Sequence, residues 1–161
     1  MRKILRPPEL VDDGWRYADE DAAGARGLIV PLAQFLNEPS AWAGGTVGVR
    51  LSPADKIEAL VPHLASLSLV AVEFPSISDG RGYSTARLLR QQHGFKGEIR
   101  AVGAGVKRDL LLSMSRSGFD SFELAPGQSL EGALAGLATF SLAYQAAVPV
   151  KGVQTTRFAA R

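Results

Sequence analysis

The sequence of 161 residues contains no cysteine and only two histidines. The first absence excludes disulfides, a thiolate nucleophile, cysteine-ligated zinc and cysteine-bound iron–sulfur clusters. The second leaves His63 and His93, too far apart in the chain for a His-x3-His pair, and no carboxylates cluster near them at metal-ligand spacing. No metal site is therefore expected. Redox chemistry would need a cofactor held by other means, and no cofactor is expected from the residues. Charge of one sign is also scarce in excess: 18 Lys and Arg oppose 16 Asp and Glu, a net charge of +2. So weak a field does not point to nucleic acid, although the pI is about 9.2. The opening MRKILRPPELVDDGW has no apolar h-region, and the cytoplasm is the expected compartment. One stretch, 132–150, is long and uncharged. It carries Thr139, Ser141, Gln145 and Pro149 and is rich in alanine, which reads as a core helix and excludes a membrane partner.

What is present is an ordinary globular composition, 46% hydrophobic and 21% charged, which excludes collagen-like and wholly disordered classes. The length favours one domain, placed at 1–145, followed by a loosely ordered tail at 146–161 that carries Lys151, Arg157 and Arg161 without acids. The first 20 residues read as a β-hairpin, with Ile4-Leu5 and Trp15 to Tyr17 as its arms. A strand–helix rhythm starts at Thr46. Strands are expected at 47–51, 69–74, 99–102 and 119–124. Between the first two, Ser52-Pro53-Ala54-Asp55 reads as a helix start running toward Leu67, with a break at Pro62. Helices are also expected at 84–92, ending at Gly94, along Val106, Leu110, Leu111 and Met114, and after the cap Ser129. About four consecutive βα units make an α/β fold with a small parallel sheet. An open three-layer sheet is the preferred architecture, and half of a (βα)8 barrel is the alternative.

The segment FPSISDGRGYSTARLLR, beginning at Phe74, is the densest in chemistry. It lies between a strand's C-terminal end and a helix, the edge where α/β sheets bind ligands. Gly80 and Gly82 permit close backbone approach, Ser84 and Thr85 add donors, and Arg81 and Arg87 add planar cationic forks. Together these are the candidate anion-binding residues. Asp79 is the one carboxylate beside them, as an arginine orienter or a weak candidate for proton acceptor. Arg90 follows one turn later. A second turn, with Gly103, Gly105 and Arg108, is placed to close the same pocket. This is neither a P-loop nor a dinucleotide fingerprint, because the Lys of the former and the glycine spacing of the latter are missing. Glu73, on a buried strand, needs a partner, and Arg100 is the expected one. Neither histidine is expected to be catalytic; His93 suits a helix end.

The string DGRGYS-x-ARLLR, with GFKGEIRAVGAGVKRDLLLSMSRSGFDSFEL after it, resembles a bacterial family known as domain of unknown function 934. The resemblance runs from the DGW segment to about Tyr144. It implies a link to sulfite reduction, since members are named as oxidoreductases on the strength of neighbouring sulfate-assimilation genes. The family pattern usually has Gly-Asp and Asp-Gln in the second turn, where this chain has Gly103-Ala104 and Asp109-Leu110. Relatives often carry cysteine where Ser117 stands. The expectation that follows is an accessory protein of assimilatory sulfite or sulfate reduction that binds a small oxyanion or a sulfur-assimilation enzyme at residues 79–90. The alternatives are an enzyme acting on a phosphorylated or sulfated small molecule, with a cofactor-dependent oxidoreductase as a variant, and a structural subunit forming a homo-oligomer.

Overall fold

Short β-branched and leucine-rich runs dominate the strands of this chain, and in the computed structural model eight of them join one mixed sheet. The structure describes residues 2–20 and 25–141, so the expected tail at 146–161 lies outside the described residues. The strands are β1 (Lys3–Arg6), β2 (Glu9–Asp12), β3 (Trp15–Tyr17), β4 (Gly27–Pro31), β5 (Val47–Leu51), β6 (Leu69–Glu73), β7 (Glu98–Val102) and β8 (Ser121–Phe122). The helices are α1 (Leu32–Asn37), α2 (Arg81–Arg87), α3 (Leu111–Ser117) and α4 (Leu130–Ser141).

Strand order is β2-β1-β8-β7-β6-β5-β4-β3. From β3 to β8 the pairings are all parallel and follow the sequence without a reversal. An open three-layer sheet is therefore corrected to a half-barrel. Right-handed crossovers in an unreversed order put every helix on the same face, and a three-layer sheet needs a reversal. The packing agrees: Phe35 of α1, Ala86 of α2, Met114 of α3 and Ala133 of α4 all join one large core with Val49, Val70, Val72, Ile99 and Phe122. The opposite face carries a smaller cluster of Tyr17, Ile29, Leu69, Ala71 and Val102, flanked by Trp15. That face is concave enough for the Tyr17 hydroxyl, on β3, to reach Glu123 just after β8 at 2.8 Å.

Three local expectations change. The hairpin exists, but its arms are β1 and β2 around Pro7-Pro8; Trp15 to Tyr17 instead forms β3, parallel to β4 at the other end of the sheet. The proline turn is tight enough to pair Ile4 with Val11, which leaves Trp15 free to pair elsewhere. The helix expected from Ser52 is replaced by a turn and two 3-10 segments, Ile57–Ala59 and Val61–Ser66. Asp55 accepts a hydrogen bond from the Ser52 N–H at 2.7 Å, holding that turn, and Pro62 opens the second segment. Helix α2 begins at Arg81, three residues before the expected Ser84, and continues into one π turn over Leu88–Gln92. Ser129 does cap α4, accepting from the Gly132 N–H at 3.0 Å. Among the described residues no helix is long and apolar enough to cross a membrane.

Candidate functional site

The C-terminal edge of β6 and β7 carries the loop and turn singled out in the sequence. Phe74 is buried at the end of β6 and stacks edge-on against Tyr83 (5.4 Å) and obliquely against Phe119 (5.5 Å), which seats α2 on the sheet. Gly82 is there for that contact: a Cβ would lie 2.5 Å from the Phe74 ring. Gly105 serves the second turn in the same way, since a Cβ would lie 2.5 Å from the Ser76 carbonyl oxygen, and its N–H donates to the Phe74 carbonyl at 2.8 Å. Gly103 combines a φ of +107° with close approach to the Phe74 backbone. These glycines lock the two loops together. Gly80 differs, because its φ of −86° suits any residue and a Cβ there would meet nothing within 4 Å.

The charged residues of the loop are already committed. Asp79 accepts from Arg81 Nε at 3.0 Å and Nη2 at 2.7 Å, and from the Arg81 backbone N–H at 3.2 Å. Hydrogen bonding from Arg81 holds the Asp79 carboxyl below its usual range. Ser84 sits in the fourth position of α2, on its exposed side with Arg87. Thr85 donates to the Arg81 carbonyl at 3.3 Å. Arg90 is a strut: it donates to the carbonyls of Phe95 (2.7 Å), Gly97 (2.8 Å) and Gly118 (3.2 Å) and pairs with Asp120. Arg108 projects over α4, with Nη1 3.7 Å from where a Gly132 Cβ would stand. The loop, the helix face and the second turn thus share an edge, while Arg87 and Arg108 are carried on different helical segments.

The concave face holds a second constellation, which the sequence reading missed. Arg100 is 1% exposed and Asp13 2%. Arg100 Nη1 contacts both Asp13 oxygens at 3.0 and 3.1 Å, and Nη2 and Nε hold Glu98 at 3.0 and 3.2 Å. The expected Glu73–Arg100 pair is corrected accordingly: Arg100 lies opposite Ala71, and the carboxylates of Glu98 and Asp13 engage all three of its guanidinium nitrogens. Ser121 adds a 2.5 Å hydrogen bond to Glu98. Arg2 joins the cluster through Asp13 at 2.8 Å and Glu20 at 3.5 Å. Burial opposes the Arg2 charge, but Glu123, Asp13 and Glu20 more than offset it, so its pKa rises. The Tyr17 ring lies between Arg2 and Arg50, with guanidinium carbons at 5.4 and 5.5 Å from its centroid. Burial first, and then Glu123, push the Tyr17 hydroxyl well up. The readable signal was the alternation Glu98-x-Arg100-x-Val102 in β7, which places two charges on the face away from the helices. Of the histidines, His63 packs edge-on against Phe35 at 5.3 Å. Among the described residues no group of three metal-ligating side chains converges.

A half-barrel of parallel strands, with its loop cluster at their C-terminal edge and an ion-paired concave face, defines the protein class. Within that class the chain belongs to a bacterial family described as protein of unknown function, domain 934, whose model matches residues 48–153. The match begins at Gly48 in β5, so β1 to β4, with Tyr17 in β3 and Asp13 just before it, precede the match. The comparison with curated proteins gave no match.

Proposed function

We propose that this chain is a non-catalytic accessory protein that docks a partner enzyme through residues 75–80 and the outer face of α2, in the sulfite-reduction setting its family resemblance implies. One observation carries the reading. Ile77 is 61% exposed and Leu88 37%, the two large exposed hydrophobics among the described residues, and they flank the helix whose outer side presents Arg81, Ser84 and Arg87. Exposed apolar anchors bordered by arginine are the pattern of a protein–protein contact. Asp79 is a poor proton acceptor at neutral pH, because Arg81 stabilises its charged form.

The test is co-purification from cells with the tagged chain, comparing wild type with Ile77→Asp and Arg87→Glu. A sulfur-assimilation enzyme should come down with wild type and fall by about tenfold or more with either variant, while thermal melts stay unchanged. Equal recovery with the variants, or no sulfur-assimilation enzyme at all, refutes it. A small oxyanion at the same edge is the second reading, favoured by the open space over Gly80. Calorimetric titration with sulfite and sulfate decides it: saturable binding lost in Arg81→Gln supports the oxyanion.

A further inference from the structure

A cleft of about 550 Å³ opens beside α3 and α4, on residues that the docking face does not use. That volume is in the range of small-molecule sites, roughly 300–1,000 Å³. Leu112 and Leu137 supply apolar wall, and Gly132 and Gly136 expose bare backbone on α4. Gly136 is the informative residue. It sits in the middle of a helix of 12 residues, where glycine is less stable than alanine, yet a Cβ there would meet nothing within 4 Å. No packing contact among the described residues calls for glycine at that position. Bare backbone in a cleft wall lets another body approach closely.

The cleft also has a positioned cation. The Arg108 backbone N–H donates to Gln128 Oε1 at 3.1 Å, which fixes where this side chain leaves the main chain. Its guanidinium lies over Gly132, and the nearest carboxylate among the described residues, that of Asp109 on the rim of the same cleft, is 3.7 Å away and 89% exposed. So loose a surface pair leaves the Arg108 donors available to an anion. Arg116 also lines the cleft.

We propose that this cleft binds a small organic anion, with a sulfate, sulfonate or phosphate head on Arg108 and an apolar body lying along Gly132 and Gly136 between Leu112 and Leu137. The probe is octyl sulfate, titrated calorimetrically below its micelle-forming concentration, with inorganic sulfate and octyl glucoside as controls. Octyl sulfate should bind saturably, and about tenfold more tightly than either control. Arg108→Gln should weaken it by about fivefold or more. Gly136→Leu fills the trough and should abolish binding, with a melting temperature unchanged or raised. Undiminished binding in Gly136→Leu, equal affinity for octyl glucoside, or no saturation overturns the proposal. Failure of Gly136→Leu to fold also overturns it, because the space would then not be open. Sedimentation with phosphatidylglycerol vesicles in the absence of saturable octyl sulfate binding would place the anion in a bilayer and exclude a soluble ligand.

Discussion

Two arginine–carboxylate forks in this protein share their chemistry and differ in their setting. Arg100 grips Asp13, 87 positions away, with both side chains almost wholly buried. Arg81 grips Asp79, two positions away, at 2.7 Å, with its guanidinium 66% exposed. The first ties β7 to the segment before β3 and so fixes the curl of the sheet. The second only shapes a turn. Water reaches Arg81, screens the outer fork and lets that arginine leave at little cost. Neither partner of the inner fork can leave without stranding a charge in a dry site. The residues most conspicuous in the sequence are therefore not those with the most energetic weight.

The largest test of that contrast is Arg100→Ala. It takes from Asp13 and Glu98 their fully buried cationic partner, leaving Asp13 to Arg2 and Glu98 to Arg6 and Ser121, and loss of one partner from a buried pair costs about 3–5 kcal/mol. Urea denaturation should show a loss of that size. Replacing the whole group, as Arg100→Met with Asp13→Asn and Glu98→Gln, should recover most of it, because no charge is then left buried. A loss below about 1 kcal/mol for Arg100→Ala would put the inner fork on the same footing as the outer one.

How much of this was legible depends on how far apart the interacting residues lie. The runs at 47–51 and 69–74 announce strands through continuous apolar residues, and Ser129 announces α4 through its cap. The DGRGYS loop was legible as a strand-to-helix connection at the C-terminal edge of β6. Each of these signals is local. By contrast, the half-barrel rests on the order in which β3 to β8 line up without a reversal, and the hairpin's place in the sheet rests on Leu5 of β1 meeting Phe122 of β8. No local pattern encodes either. The partner of Arg100 is hidden for the same reason: Glu73 is a near neighbour in sheet register, while Asp13, 87 positions away, meets Arg100 only in the folded sheet. The helix expected at 53–67 had acceptable start signals, but Pro62 and the Asp55 turn divide it into 3-10 segments. At the site, Gly82, Gly103 and Gly105, whose pattern predicts ligand approach, serve packing. Sequence composition does not separate those two uses.

A smaller effect probes the rim of the inner network. Tyr17 is buried and donates to Glu123, so its hydroxyl stays protonated above the pH at which the unfolded chain's tyrosine, near 10.0, ionises. Above that pH the unfolded chain binds fewer protons than the folded one, and stability falls as pH rises. The loss from this one group is about 1.4 kcal/mol per pH unit. Between pH 8 and pH 11 wild type should therefore lose more stability than Tyr17→Phe. Parallel losses in the two proteins would show that Tyr17 ionises as an exposed tyrosine does and that the rim is wet.

The smallest effect belongs to the outer fork, and it separates stability from recognition. Asp79 has its pKa lowered by Arg81, so the pair contributes only above the ordinary carboxylate range and loses that contribution as pH falls through the folded value. The Arg81 side chain is 66% exposed and lies largely in water, whereas Asp79 is 11% exposed. Arg81→Ala should consequently leave the urea midpoint at neutral pH within experimental scatter, and raising salt should change nothing further. The same substitution removes the group that turns Asp79 inward at the start of α2 and frees a carboxylate on the face that carries Ile77 and Leu88. Partner capture should then fall although the fold does not. If Arg81→Ala lowered the midpoint as much as a buried-pair deletion does, the loop would be part of the framework, and its exposure would no longer argue for docking.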